Sequence, residues 1–325
     1  MKFSIIVPVY NGSETLEKCL GALCHIDYPK DDYEIVVIND GSQDNSAQIA
    51  CRFPVRLITL APNQGRIIAR QTGAKSARYD NLLFIDARVI VSPDILKQIE
   101  RIDYQPLMSG EHGEDKYRSH FDTLFYLIRR KVYAPYYPQR EWGEKLWIDE
   151  KNFHRAPKGT TCLFCDRELF LQSIPDRQGK TVSDDTLLLH NMVKRKKLLR
   201  HTALRITYLQ RTDWKSVLAH IYQRGPLFND YYLRGPSRYY RRWQAGLILF
   251  LLITGLIFYH PVFLLIPVAG LLFSAFYLSE NLPDFLIVTT CLPLVGLTFL
   301  AGIIKGKISA ASLRQIVQTL KAYNL

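Results

Sequence analysis

The chain has 325 residues, 48% of them hydrophobic, and a formal net charge of +12. That length suits one large domain or two smaller ones, with enough apolar residues for a substantial core. Six cysteines include a single Cys-x-x-Cys, Cys162 and Cys165, with no second pair to complete a zinc site, so reduced buried thiols are expected.

The first hundred residues alternate strand and helix patterns. "FSIIVPVY" reads as a continuous apolar strand and is too short for the core of a signal peptide, so this part is expected to be cytosolic. "NGSETLEKCLGAL" carries Leu16, Leu20 and Leu23 at helical spacing, with Ser13 as its expected cap. "YEIVVIND", "VRLITLAP" and "NLLFIDARV" read as further strands, and "GSQDNSAQIACRF" and "GRIIARQTGAKSA" as turn and helix segments. Strands apolar along their whole length are buried on both faces, as in a parallel sheet sandwiched by helices. In such sheets ligands sit beyond the carboxyl ends of the strands. Three predicted strands deliver polar groups there: Tyr10-Asn11-Gly12, Asn39-Asp40-Gly41-Ser42 and Asp86-Ala87-Arg88.

From Met108 to Pro157 the composition turns aromatic and charged, which predicts an amphipathic insertion on the acceptor side and not sheet core. Tyr133, Tyr136, Tyr137, Trp142 and Trp147 within it suit sugar stacking or a lipid interface. "GTTCLFCDRELF" returns to strand and helix. "VSDDTLLLHNMVKRKK" predicts a helix capped by Ser183, with Asp184 and Asp185 in its first turn. "WKSVLAHIYQRGPLF" predicts an amphipathic helix stopped at Gly225-Pro226.

Residues 229–243 then form a basic juxtamembrane linker with Arg234, Arg238, Arg241 and Arg242. No Asp, Glu, Lys or Arg occurs from Gln244 to Ser279 or from Phe285 to Ile304, so residues 244–304 predict two or three membrane helices. Residues 305–325 predict a separate amphipathic helix. Three full spans would place that basic tail outside, against the positive-inside tendency. With basic residues beside the first apolar run, the charge is read as matched to anionic lipid and phosphorylated ligands, not nucleic acid.

A nucleotide-sugar site needs a group to read the base, positive charge to hold a leaving diphosphate, and a carboxylate to take the acceptor proton. Asp40, Asp86 with Arg88, and Asp184-Asp185 are candidates for the three tasks. The order of motifs resembles a family-two glycosyltransferase of GT-A fold: "SIIVPVYNGSETLEKCLGAL", "VVINDGSQDNS", "APNQGRIIARQTGAKSA", "LLFIDARVIVSPDIL", "SDDTLL" and, in part, "YQRGPLF". The resemblance covers residues 1–228. It implies an α/β GT-A domain followed by membrane helices, and an inverting transferase in cell-surface polysaccharide or glycolipid synthesis. Its donor would be a UDP- or GDP-linked sugar and its acceptor a lipid-linked or glycan hydroxyl, with the enzyme multi-pass in the inner membrane and its catalytic domain cytoplasmic.

Carried over, Pro8 and Tyr10 would line the base pocket and Asp40 would contact the base. Arg70 would sit near the nucleotide and Asp86 near ribose and diphosphate. Asp185 would be the base, with Asp184 as its alternate, and Trp142, Gln223 and Arg224 would lie on the acceptor side. The departure is Arg88, where the family places an acid that binds Mg²⁺ or Mn²⁺. Arginine cannot ligate a cation. Either Arg88 supplies some or all of the positive charge that a metal supplies elsewhere, or Asp86 with a histidine such as His190 or His220 still holds a metal. A sugar nucleotidyltransferase and a non-catalytic membrane scaffold of the same fold are the alternatives. The former lacks its Gly-rich, Arg-bearing phosphate loop in "PVYNGSETLEK".

Overall fold

A computed structural model describes residues 1–113, 119–133, 145–177, 179, 182–211, 213–233 and 238–322. The chain divides into two compact units. The first comprises residues 1–114, 132–180 and 184–210, and the second residues 115–131, 181–183 and 211–325. The expected domain limit at residue 228 therefore falls inside the second unit.

In the first unit β1 (Phe3–Val9), β2 (Tyr33–Asp40), β3 (Arg56–Leu60) and β4 (Asn81–Ile85) are parallel, in the order β3-β2-β1-β4. Helices α1 (Ser13–Cys24), α2 (Ser46–Ala50) and α3 (Arg66–Ser76) connect them. Ile5, Val7 and Val9 of β1 share a core with Leu16, Leu20 and Leu23 of α1, all buried. Each such leucine contributes ~1.5–3 kcal/mol. On the opposite face Ile6 meets α3 at Gly73, where an added Cβ would collide with the Ile6 side chain and stand 3.3 Å from Ile38. A strand buried on both faces can be apolar at every position, which is what "SIIVPV" encodes. Gly12, not Ser13, is the N-cap of α1.

The strand read through Val89 ends at Ile85. The Asp86 N–H donates to the Thr161 carbonyl (3.0 Å), and Val89 N–H to that of Asp86 (2.9 Å), so the chain turns at residues 86–88. It re-enters the sheet as β5 (Val89–Val91). Helix α4 (Ile95–Ile102), β6 (Leu107–Gly113), β7 (Lys145–Ile148), β8 (Cys162–Asp166), α6 (Arg167–Gln172), α7 (Asp184–Arg195) and β9 (Leu198–Tyr208) complete the unit. The sheet order is β3-β2-β1-β4-β8-β6-β9-β5, with β7 also on β9. Two strands therefore fall inside the stretch expected to avoid the sheet. Leu107 and Met108 of β6 are buried, and the strand is held by ladders to β8 and β9 that local composition does not announce. Cys162 and Cys165 are free and buried, and burial pushes the Cys162 thiol up to about 12.

The second unit contains α5 (His120–Val132), α8 (Trp214–Tyr232), α9 (Arg238–Tyr259), a 3-10 turn (Pro261–Leu264), α10 (Leu265–Leu278) and α11 (Leu282–Ala322). Tyr240–Tyr259, Pro261–Leu278 and Leu282–Lys307 are long and apolar enough to cross a membrane, with mean hydropathies of 1.6, 2.1 and 2.2. Phe121, Leu124 and Leu127 of α5 pack with Val217 and Ile221 of α8, Ala275 of α10, and Val288 and Cys291 of α11.

Two boundaries differ from expectation here. Helix α8 runs straight through Gly225-Pro226. Pro226 denies Tyr222 its helical N–H partner, but that carbonyl packs directly against Gly302 of α11, and Gly225 lets the two backbones meet. The third apolar run and the tail form one helix, α11, not two. Most of the expected linker is also helical, in α8 and α9; Arg234 lies outside the described residues.

Candidate active site

Two strand ends are stitched together first. Asn11 adopts φ 48°, in the left-handed region that asparagine tolerates. Its Oδ1 accepts from Gln43 N–H (2.8 Å), while the N–H groups of Asn11, Gly12 and Ser13 donate to Ser42, Ser46 and Asp44. The turns after β1 and β2 are thereby locked side by side at the carboxyl edge. Pro8 lies within β1, opposite Ile38 of β2, and Tyr10 is exposed at the end of that strand.

Asp40 is buried at the end of β2. Its carboxylate accepts from Asn63 Nδ2 (2.9 Å), Gln64 N–H (2.8 Å) and Gly65 N–H (2.9 Å). A carboxylate has about four acceptor positions, so roughly one is left for a ligand. Gly41, at φ 69°, must be glycine, because a Cβ there would stand 2.8 Å from Asn63 N. Asp40 thus fixes the 63–65 segment that launches α3.

Helix α3 delivers two guanidiniums one turn apart, Arg66 and Arg70, on one face. Arg70 is 2% exposed and bridges two acids: Nη2 reaches Asp86 Oδ1 at 2.9 Å, and Nη1 pairs with Asp185. Its Nε is buried without a hydrogen-bond partner. Arg66, 52% exposed, forks over the first turn of α7, with Nη1 2.9 Å from Asp185 Oδ2 and Nη2 3.2 Å from Asp184 Oδ1. Asp86 and the Asp184-Asp185 pair, far apart in sequence, are so joined through two arginines. Carboxylates sharing a site repel, and an interposed cation allows them to stay ionised.

Burial opposes the Arg70 charge, but Asp185 and Asp86 outweigh it and hold its pKa above the ordinary value. Burial pushes Asp86 up, against the pull of Arg70. Burial and then the neighbouring Asp185 charge push Asp184 up as well.

Arg88 is engaged elsewhere than expected. Its guanidinium donates to the Leu209 carbonyl (3.3 Å) and pairs with Glu14 of α1 (3.4 Å), while the arginine bonded to Asp86 is Arg70. His190 stacks on Phe153, with centroids 4.9 Å apart and next to His154, and burial lowers its pKa. His220 lies on α8 with Arg224 and Gln223, in the second unit. Trp142, Tyr136 and Tyr137 fall outside the described residues. Trp147 packs edge-on against Tyr104, 4.8 Å between centroids.

The donor set does not fit a resident divalent cation. Asp86 already has a guanidinium at 2.9 Å, the second acid's place is Arg88, and among the described residues no three His, Cys, Asp or Glu are grouped so as to hold a metal ion. What the cluster offers an anion is its two guanidiniums, Arg66 above all, which is half exposed.

Arg66 was not singled out from sequence. Its signal is its spacing, four residues before Arg70 and directly after Gly65. A charged residue in the first turn of a helix ordinarily reads as solvated, and only the placement of α7 gives it partners.

Residues 4–150 match the family described as Glycosyl transferase family 2. Glycosyltransferase AglE of Haloferax volcanii is 38% identical over 88 residues, 26% of this chain and 29% of that protein. Poly-beta-1,6-N-acetyl-D-glucosamine synthase of Staphylococcus epidermidis is 31% identical over 126 residues, 37% of this chain and 30% of that one. The chain thus spans under a third of the length of these curated relatives. Among solved structures, S. aureus TarS 1-349 in complex with UDP-GlcNAc superposes with a TM-score of 0.51 at 19% identity, over 74% of this chain and 69% of that one. Mannosyltransferase PcManGT from Pyrobaculum calidifontis, in complex with GDP-Man and Mn2+, superposes with a TM-score of 0.55 at 15% identity, over 94% and 86%. These likenesses show the fold.

Proposed function

Because residues 4–150 match the glycosyltransferase family 2, we propose that the chain moves a sugar from a nucleoside-diphosphate sugar to an acceptor hydroxyl with inversion. The observation that carries this reading is the Asp86–Arg70–Asp185–Arg66–Asp184 cluster at the carboxyl edge of the parallel strands. It places a candidate base beside two candidate anion holders.

Asp185 takes the acceptor proton as the hydroxyl oxygen bonds to the anomeric carbon, and the bond from that carbon to the diphosphate breaks on the opposite face. The negative charge on the departing nucleoside diphosphate is met by Arg66 and Arg70. Asp184 is the alternate base. Asp86 lies toward ribose and diphosphate, Asp40 offers its remaining acceptor position to the base, and Pro8 and Tyr10 flank it. Arg88 acts one step removed, by tying the 86–88 turn to α1 and β9.

Gln223, Arg224 and Trp142 are assigned to the acceptor side. The apolar helices of the second unit favour a lipid-linked or glycan acceptor at a membrane, with the transferase domain on the cytoplasmic face. A relative named poly-beta-1,6-N-acetyl-D-glucosamine synthase supports the same class of product. The neighbours' titles name both UDP-GlcNAc and GDP-Man, so both donors belong in the test.

The test pairs thermal shift with turnover. Parent protein should be stabilised by one of the two donors, since a ligand at 100 times its Kd adds ~2.7 kcal/mol. Asp185→Asn should keep that shift and lose ~100- to 10,000-fold in transfer, the range for a general base. Transfer within threefold of parent would remove Asp185 as the base, and no shift with any nucleotide sugar would favour a scaffold.

A further inference from the structure

The three apolar helices do not form three alternating spans. Were α9, α10 and α11 to run up, down and up, Trp243 at the start of α9 and Lys307 toward the end of the apolar part of α11 would lie in opposite headgroup layers. A hydrocarbon core of ~30 Å would separate them. The Lys307 ammonium instead sits 5.4 Å from the centre of the Trp243 ring.

The rest of α11 agrees. One long stripe of it packs on amphipathic helices. Val288 and Cys291 meet α5 and α8 near its start, Phe299 meets Phe228 (5.4 Å between centroids), and Gly302 and Gly306 abut Tyr222, Gly225 and Pro226 of α8. Helix α8 carries Lys215, His220, Arg224 and Asp230, too many polar groups for hydrocarbon. It nevertheless packs on the apolar part of α11 between Val288 and Gly306. The opposite stripe, Leu282, Leu286, Leu294, Leu297 and Ile304, is exposed. Basic side chains sit at both ends: Arg130 pairs with Glu280, Lys131 covers Tyr277, and Lys305 covers Tyr222.

We propose that the chain crosses the bilayer twice, through α9 and α10, and that residues 282–307 of α11 lie in the plane of one membrane surface. The exposed leucine stripe faces the acyl chains, and α5 and α8 cover the other side. Helices α9 and α10 have the lengths of a span, 20 and 18 residues including the 3-10 turn, and almost no burial within the protein. All the basic residues named then fall on one side, as the positive-inside tendency requires. The proposal rests on membrane embedding and not on the transferase reading.

The test uses the full chain carrying Cys51→Ser, reconstituted in vesicles of zwitterionic and anionic phospholipid. Spin labels are placed at Leu252→Cys in α9 and Leu297→Cys in α11, both on exposed positions. Collision with oxygen and a water-soluble nickel chelate should place 252 near the bilayer centre and 297 only ~5–10 Å below the headgroup boundary. An impermeant maleimide should label Lys215→Cys and Lys307→Cys from the same side and Val262→Cys from the other. A label at 297 as deep as that at 252, Lys307→Cys reacting from the side of Val262→Cys, or a water-exposed label at 252 would each overturn the proposal.

Discussion

Replacing Arg66 by glutamine separates a ligand-holding role from a structural one. The side chain is 52% exposed and its two ion pairs, at 2.9 and 3.2 Å, are partly open to solvent. Such pairs contribute ~0–1 kcal/mol, equivalent to at most ~2–4 °C in Tm for a sizeable domain. A charge-assisted hydrogen bond to a phosphate oxygen is worth ~1.5–3 kcal/mol, or roughly 10- to 150-fold in kcat/KM. The expected variant is therefore folded, within a few degrees of the parent, and at least tenfold slower with a nucleoside-diphosphate sugar. Arg70 is unsuitable for this test. Removing it strands two carboxylates and would cost ~3–5 kcal/mol of stability, so lost activity would prove nothing. The assay is a donor titration of initial transfer rate beside a melting curve. An Arg66→Gln protein with kcat/KM within threefold of the parent would refute the assignment, as would one whose activity falls only in step with its folded fraction.

Asp184→Asn is expected to melt at or above the parent at pH 8. Burial raises the Asp184 pKa, so the folded state holds that proton more tightly than the unfolded chain. The stability this linkage contributes is present below about pH 3.9, the unfolded value, and is lost as pH rises through the folded one. The advantage of asparagine should vanish near pH 4, and a variant less stable at pH 8 than at pH 4, each relative to parent, would contradict this. With a guanidinium already on Asp86, EDTA should leave transfer within ~3-fold, the span of context scatter in such effects; collapse with EDTA and rescue by Mn²⁺ would show that a cation is recruited. Gly302→Ala should cost ~1–3 kcal/mol through overpacking, because a Cβ there stands 3.2 Å from Gly225 Cα and closer still to the Tyr222 carbonyl. Gly255→Ala, with nothing within 4 Å of its Cβ, should change the melting temperature little.

The parallel half of the sheet was legible because its strands are buried on both faces, so each writes an uninterrupted apolar run. Asp40, Asp86 and Asp185 were legible as strand-end or helix-start acids. Their couplings were not. Asp40 looked like a turn residue that reads a base, and the structure shows its carboxylate holding residues 63–65, where the donors at 64 and 65 are backbone N–H groups that leave no trace in side-chain identity. Arg88 looked like the cation for Asp86 because it is two residues away. The turn at 86–88 sends it to Glu14 and Leu209, and a residue sixteen positions upstream occupies the place. The same limit explains α8. Gly-Pro is a stop signal in isolation, and only the glycine on α11 that packs against it reverses its meaning.

The charge balance of the cluster suggests an order of events. Three carboxylates and two guanidiniums leave one net negative charge, and Asp185 is paired with both arginines. A carboxylate so paired is a poor proton acceptor, because the cations stabilise its charged form. On the proposed reading, an incoming diphosphate competes for the more exposed Arg66 and weakens the restraint on Asp185, while buried Arg70 keeps its side chain in place. The base would gain strength only once the donor is seated, so acceptor activation follows donor binding. This predicts that Arg66→Gln raises the KM for the donor more than that for the acceptor. A variant whose donor KM equals that of the parent would mean that Arg66 does not meet the diphosphate.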